Sequence, residues 1–461
     1  MGRVLVVGLD CVPPRLAFER YRRFMPNLSR VMERGAWGPL QTTVPPITVP
    51  AWACLLSGYD PGELGLYGFR NRVRGSYQLE LAHSGQLAKP MVWERLRAEQ
   101  RVCCLFVPPS YPPRPVHGEL VSCFMTPDAD SAHTYPPPLA AELRERFGPY
   151  LPDVEEYRTE DRARLLEQLY ACTEQHFAIA CHMQRTRQPD LTVMVEVGPD
   201  RFHHGFWADI DPEHPQHDAA GRYRDAGVEY YGFLDRQLGL LLEAAGPEVN
   251  VLVISDHGAR ALYGCVHINE WLIQHGYLVL KRYPRELTPW SELEVDWSRT
   301  RAFGEGGYYS RVMLNIRGRE PQGIVPASAV EALCERLAQE LREQLGPDQR
   351  QLKQRVLRPQ ECYRAQNGLP PELMVFWDDL NYRSSGAVGG GTLFSPTNDT
   401  GPDACNHDWQ GIFALAGPDV AARGPLASVH YEDVAVTILR LLRQDSSDLP
   451  GRDRSQAQGR A

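Results

Sequence analysis

A chain of 461 residues in which 58 acids face 49 bases carries a formal charge of −9, and that length suits two or three domains, or one large α/β domain with insertions. Hydrophobic residues at 43% and charged residues at 23% are ordinary globular usage and exclude a disordered or fibrous chain. The acidic balance, with Lys89, Lys281 and Lys353 its only lysines and no basic tract, excludes a protein whose main task is to coat nucleic acid or anionic lipid.

In chain order, the first expected element is a buried strand over residues 3–9, ended abruptly by Asp10. Its apolar run is too short for a secretory leader. No later window approaches the roughly 18 apolar residues of a membrane helix. Eleven cysteines, an odd number without a CxxC pair, read as reduced thiols. Together these features predict a cytoplasmic protein with no membrane span. A helix is expected over 25–33, then a loop stiffened by Pro45, Pro46 and Pro50 that leads into a helix over 51–57. A helix over 91–99 precedes a strand over 101–107. Further helices over 161–184 and 223–245 alternate with strands over 191–197, 249–254 and 411–416. Apolar runs of this kind, without polar alternation, suit strands buried on both faces of a parallel sheet. The alternation predicts an α/β fold, a doubly wound and mostly parallel sheet flanked by helices, with sites at the carboxyl ends of the strands.

Residues 300–400 break that rhythm with a glycine-rich stretch at 304–309, a long polar helix over 329–345 and a second glycine-rich stretch at 386–391. The expected organisation is therefore a core of residues 1–300 and 400–445, an inserted cap or lid over 300–400, and a frayed polar tail over 446–461.

Three of the strands end in potential metal ligands. Asp10 closes the first, Asp200 and His204 follow the strand over 191–197, and Asp256-His257 follows the strand over 249–254. His407 stands just before the last strand. Carboxylate and imidazole are the donors that Zn²⁺ and Mn²⁺ favour, and a spacing of four puts Asp200 and His204 on one helical face. Singly, each reads as a helix cap or turn residue; the set as a whole favours a metal centre. Thr48, at the start of the helix after the Pro-rich loop, sits where backbone N–H groups and the helix dipole favour an anion, although taken alone it reads as an N-cap.

The succession of Asp10, Thr48-Val49-Pro50, Gly58-Tyr59-Asp60-Pro61-Gly62 with Gly65, Asp200 and His204, Asp256-His257-Gly258 and His407 resembles the type I phosphodiesterase/nucleotide pyrophosphatase family of the alkaline phosphatase superfamily. The resemblance runs from about residue 3 to 442 and includes Pro26-Asn27-Leu28 and Asp433-Val434-Ala435. It implies an alkaline-phosphatase-like fold and two divalent ions, usually zinc with manganese the alternative. Asp200, His204 and His407 would hold one ion; Asp10, Asp256 and His257 would hold the other, toward which the nucleophile Thr48 would bridge. The implied activity is hydrolysis of a phosphodiester or pyrophosphate bond in a small, nucleotide-like phosphate ester, through a phosphothreonine intermediate.

One departure bears on substrate. Many family members carry Asn three residues after the nucleophile to hold a phosphate oxygen, and here that position is Ala51. Asn71, Arg70 and His267 are the candidates to replace it, and Glu305 and Tyr308 could line the substrate cavity. Within phosphoryl chemistry a monoesterase, with Arg70 or Arg72 gripping the extra charge, and a phosphomutase are the alternatives. A sulfatase is weaker, because Cys11-Val-Pro-Pro-Arg15 has the residue pattern of a formylglycine site but adjoins the first ligand instead of standing where Thr48 does. A metal-binding scaffold without catalysis is also weaker, since it need not retain six ligands and a hydroxyl. Trp207, Tyr230 and Tyr231 read as packing, His203 as an outer or exposed residue, and His214 and His217 as solvated.

Overall fold

In the strand Arg3–Leu9, Leu5, Val7 and Leu9 join one apolar cluster while Val4 and Val6 join another. Period-two geometry requires this of a strand buried on both faces. The computed structural model describes residues 2–456. Its ten-stranded central sheet has at its heart five parallel strands in the spatial order Val249–Ile254, Arg3–Leu9, Leu191–Glu196, Val102–Leu105 and Gly118–Val121. The helices Pro26–Arg34, Arg162–Arg187, Gly198–Ile210 and Ala226–Ala245 pack on one face; Thr48–Leu55 and Tyr431–Leu441 pack on the other. The doubly wound, mostly parallel α/β fold is therefore as expected.

The last long strand differs from the expectation of parallel strands. Gln410–Ala416 runs antiparallel to both its neighbours, Val249–Ile254 and Ala36–Gln41. The reason is its approach. After Val249–Ile254 the chain leaves the sheet through Gly258–Ala261, and it returns through Cys405–Asp408, which pairs antiparallel with that strand. It re-enters at the edge from which it left. That edge is the carboxyl end of the parallel strands, so His407 arrives there together with Asp10, Asp200 and Asp256.

A smaller unit stands over this edge, and it begins well before residue 300. Gly264–His267 is the middle strand of a three-stranded sheet, between Tyr382–Ser385 and Phe394–Ser395. The helix Ile268–Gln274 packs on Ala302–Glu305, one strand of an antiparallel four-stranded sheet with Ser310–Leu314, Leu373–Phe376 and Arg355–Leu357. The helix Val330–Glu343 covers that sheet with Leu333, Leu337 and Leu341. Residues 264–274 are as apolar as core segments, which is why pattern alone assigned them to the core.

Two further expectations are corrected. Residues 91–99 form only a 3₁₀ turn, Val92–Arg95, because the Glu94 and Gln100 side chains accept from the N–H groups of Met91 and Arg97 and so tie off the turn. The tail up to residue 456 is docked rather than frayed. Leu449 is buried in the face that holds the helix Thr48–Leu55, and Asp433 accepts from Arg452 N at 2.8 Å and pairs with Arg454 at 2.6 Å. Residues 457–461 of the expected tail lie outside the described residues. Among the described residues no helix is long and apolar enough to cross a membrane.

Candidate active site

Asp10, Asp200 and Asp256 each follow the carboxyl end of a parallel strand, and all three are buried. The helix Gly198–Ile210 starts Gly-Pro, a favoured helix opening. It carries Asp200 in its first turn, where the dipole favours negative charge, and His204 one turn later. Thr48 is the first residue of the helix Thr48–Leu55. The N–H groups of Thr48 and Val49 find no backbone acceptor there, and residue 50, being proline, has no N–H. One turn on, the Trp52 indole is fully buried and donates to Asp10 Oδ2 at 2.8 Å.

The side chains converge. His257 Nε2 lies 3.2 Å from Asp256 Oδ2, 3.6 Å from Asp10 Oδ1 and 3.2 Å from Thr48 Oγ1. Asp200 Oδ1 lies 3.5 Å from both His204 Nε2 and His407 Nε2. The His257 and His407 rings stack at 3.8 Å, joining the two groups into one cluster. Asp10, Asp256 and His257 present ligand atoms within 4.8 Å of one another, and so do Asp200, His257 and His407.

Each inward atom is oriented from behind. His407 Nδ1 donates to Pro46 O at 2.7 Å, His257 Nδ1 to Gly258 O at 3.1 Å and His204 Nδ1 to Asp403 Oδ1 at 2.6 Å, which turns all three Nε2 atoms toward the carboxylates. Asp256 Oδ1 accepts from Cys11 N at 3.2 Å, and Asp200 Oδ2 accepts from Arg201 Nη1 at 2.8 Å. The remaining atoms, Asp10 Oδ1, Asp200 Oδ1, Asp256 Oδ2 and His407 Nε2, are buried without a hydrogen-bond partner. Four unpaired buried acceptors in one cluster would be costly to the fold unless cations occupied the space between them. Oxygen and imidazole donors fit divalent ions such as Zn²⁺ or Mn²⁺.

The electrostatics agree. Burial, then the charge of Asp200, pushes Asp10 well above the carboxylate range; burial, then Asp10, does the same to Asp256. Burial also works against Asp200, but His204 beside it holds that carboxyl well below the usual range. Burial and then neighbouring His407 lower His257, so its imidazole stays neutral and free to ligate.

Other candidates fall in different places. Tyr308 is part of the site: its ring stacks on His407 at 3.8 Å and its hydroxyl lies 3.4 Å from His204 Nε2. Arg70 and Glu305 line a cavity beside it. Asn71 does not reach the site; its Oδ1 accepts from Tyr67 N at 2.9 Å and closes a local turn. His267 is bonded to Ser395 Oγ at 3.0 Å in the smaller unit. Arg72 is buried in an ion pair with Glu320. His203 is buried against the Tyr231 hydroxyl, and burial lowers it to about 3. His214 is buried as well, because its loop folds back and its ring accepts from Gln216 N at 3.0 Å. Trp207, Tyr230 and Tyr231 are core packing. Sequence reading missed Asp403, whose buried carboxylate accepts from His204, Arg158 and Arg383. Its one available signal was an acidic residue four positions before His407.

Residues 4–403 match the family model described as type I phosphodiesterase/nucleotide pyrophosphatase. No curated protein matches the sequence. Similar solved structures include murine ectonucleotide pyrophosphatase/phosphodiesterase 5, an inactive variant in complex with AMP, at 14% identity and TM-score 0.57, with 98% of this chain and 97% of that one covered. The human protein of the same name gives 12% identity and TM-score 0.58 over the same shares. Phosphonoacetate hydrolase from Sinorhizobium meliloti, in complex with phosphonoformate, gives 14% and 0.59, with 96% and 95% covered. At these identities the likeness is one of fold.

Proposed function

The chain belongs to the type I phosphodiesterase/nucleotide pyrophosphatase family, and on that premise we propose that it hydrolyses a small, nucleotide-like phosphodiester or pyrophosphate with Thr48 as nucleophile and two divalent ions, zinc with manganese the alternative, as cofactors. At the coarser level it is a phosphodiesterase/pyrophosphatase-type phosphoryl hydrolase of the alkaline phosphatase superfamily. The observation that carries the finer reading is the set of four unpartnered buried acceptors, Asp10 Oδ1, Asp200 Oδ1, Asp256 Oδ2 and His407 Nε2, gathered beside Thr48 Oγ1.

One ion would be held by Asp10, Asp256 and His257, the other by Asp200, His204 and His407. The chemistry such ions would supply when bound is charge neutralisation at a phosphoryl group and a lowered pKa for a hydroxyl. The chain's own residues do the rest. Thr48 Oγ1 forms a bond to phosphorus as the bond to the leaving oxygen breaks on the opposite side; the leaving group departs with the electron pair of that bond, and the Thr48 hydroxyl proton passes to solvent. Water then cleaves the phosphothreonine ester and restores the hydroxyl. The free N–H groups of Thr48 and Val49 stand at the positive end of their helix, where an anion is favoured. Ten of the eleven free cysteines are buried, which supports the proposal of a reducing, cytoplasmic setting.

The test is turnover of bis-p-nitrophenyl phosphate against p-nitrophenyl phosphate by the metal-loaded protein. The diester is expected to be the better substrate. Thr48→Ala is expected to cut its turnover by about a thousandfold or more while metal stays bound, and Thr48→Ser to retain part of it. Full turnover by metal-loaded Thr48→Ala would sink the nucleophile assignment.

A further inference from the structure

The hydroxyls of Thr48 and Tyr308 touch the cluster at its two ends. Thr48 Oγ1 lies 3.2 Å from His257 Nε2, in the group that includes Asp10 and Asp256. The Tyr308 hydroxyl lies 3.4 Å from His204 Nε2, in the group that includes Asp200. His407 stands between them, its ring stacked at 3.8 Å on His257 and at 3.8 Å on Tyr308. Two rings cannot share one face of an imidazole at that distance, so His257 and Tyr308 occupy opposite faces.

Local sequence holds Tyr308 in that place. Two glycines before it bring the backbone against the strand Tyr382–Ser385: a Cβ at Gly306 would meet Ser384 O at 2.5 Å, and Gly307 has φ +131°. Gly307 and Ser384 exchange hydrogen bonds of 2.8 and 2.9 Å. Asn406, next to His407, donates to Tyr308 O at 3.2 Å.

Tyr308 is 8% exposed, and the bonding of its hydroxyl leaves one group over. Arg158, fixed to Asp403 at 2.8 Å, donates to the phenol oxygen at 3.4 Å. Arginine only donates, so the O–H itself points elsewhere. Its one acceptor among the described residues is His204 Nε2. His204 donates from Nδ1 to Asp403, so Nε2 carries the lone pair that would bind an ion. With that lone pair taken, the Tyr308 O–H has no acceptor among the described residues. A buried O–H without a partner is costly unless the substrate supplies one.

A two-ion site clamps the attacking and the leaving oxygen of an in-line displacement from its two sides. Thr48 is at the side of Asp10, Asp256 and His257, so the leaving oxygen falls to the side of Asp200, His204 and His407, which the Tyr308 hydroxyl touches. We propose that the Tyr308 O–H donates a hydrogen bond to the leaving oxygen, which makes Tyr308 a catalytic residue for its departure. The role rests on the reading of Thr48 as nucleophile. The leaving oxygen departs with the electron pair of its bond to phosphorus and takes a proton from solvent after release; Tyr308 keeps its own proton throughout. The more basic the leaving oxygen, the more charge it carries as the bond breaks, so this donor matters most for poor leaving groups.

The test compares methyl p-nitrophenyl phosphate with methyl phenyl phosphate, a good and a poor leaving group, on the metal-loaded parent and on Tyr308→Phe, which keeps a ring against His407. Tyr308→Phe is expected to lower turnover of the phenyl ester at least about tenfold more than that of the p-nitrophenyl ester. Calorimetric titration of the zinc-saturated proteins supplies a readout without turnover. Orthovanadate, whose five-coordinate form presents an apical oxygen opposite the nucleophile, is expected to bind Tyr308→Phe about tenfold more weakly than the parent, whereas orthophosphate changes by less than about threefold. Equal loss on the two esters, no loss on either, or an unchanged vanadate affinity would overturn the leaving-group role. Zinc content by elemental assay is expected to be the same in both proteins; a loss of zinc in Tyr308→Phe would assign the hydroxyl to the metal site instead. Thr48→Ala is expected to cut turnover of both esters alike, so full turnover there overturns the nucleophile, and equal loss in Tyr308→Phe overturns the donor alone.

Discussion

At His204 the imidazole is fixed by a carboxylate that touches nothing in the cluster except that ring. Asp403 accepts from Nδ1 at 2.6 Å with its side chain fully buried, and Arg158 and Arg383 neutralise it from the other side. Burial alone would raise Asp403, but the hydrogen-bonded His204 and then Arg158 and Arg383 outweigh it and hold the carboxyl below the usual carboxylate range. A carboxylate behind a ligating histidine sets the tautomer and raises ligand basicity. Asp403→Asn keeps the shape but removes the charge, leaving two buried arginines less well balanced. Its metal affinity, read by competition with a chromogenic chelator, is expected to fall about 10- to 100-fold. An unchanged affinity would mean that Asp403 only balances the arginines.

At the scale of elements, the first strand and the helix of Thr48 are joined at one contact. Gly8 leaves room for the Trp52 ring; a Cβ there would meet the ring at 2.3 Å. That indole carries the hydrogen bond to Asp10 Oδ2. Gly8→Ala is thus expected to cost about 1–3 kcal/mol by overpacking, seen in denaturant melts, and to lower turnover as well because Asp10 loses its orientation. A stability loss with normal turnover would separate packing from positioning.

The docked tail gives a second element-scale prediction. Arg95 makes two hydrogen bonds of 2.8 Å to Asp448, and the first of these effects, the Arg95 hydrogen bond, holds that carboxyl down at about 2. A depressed carboxylate pKa contributes stability above the unfolded value of about 3.9 and loses it as pH falls through about 2. Asp448 is half exposed, so Arg95→Ala is expected to cost no more than about 1 kcal/mol at pH 7. The gap between variant and parent in melts should close between pH 4 and pH 2; a gap independent of pH would assign it to packing against Tyr59.

For the whole molecule, the cluster is where a bound divalent ion would add stability. Three carboxylates and three imidazoles are buried together, fed by strand ends from across the sheet and by the return strand Cys405–Asp408. Chelation is expected to lower the melting temperature, and added Zn²⁺ or Mn²⁺ to restore it. Ions at a hundred times their Kd contribute about 2.7 kcal/mol. Melts that are identical with and without chelator, on protein shown by elemental assay to start metal-loaded, would argue against ion binding as a stabilising event. The −9 of the chain is distributed accordingly: part of it is concentrated in a buried, cation-seeking centre, and the cavity beside that centre is walled by arginine.

The sequence by itself determined the parts of the protein that depend on neighbours along the chain. Apolar runs such as Arg3–Leu9 and Val249–Ile254 declared their strands, because a strand buried on both faces has no polar alternation to confuse. The carboxylates at the strand ends were also legible, since Asp10, Asp200 and Asp256 each follow their strand within a few residues. The tertiary structure alone decided whatever depends on chain direction and on distant packing. His407 joins the cluster because its strand enters antiparallel at the carboxyl edge, and no local pattern encodes strand direction. Asn71 and His267, which sequence alone could not separate from Arg70, are consumed by a turn and by the smaller unit. Asp403 and Arg383 acquire their roles from contacts 199 and 20 residues away. A hydrogen bond closed across the fold leaves no periodicity in sequence, and so it could be read only from the folded chain.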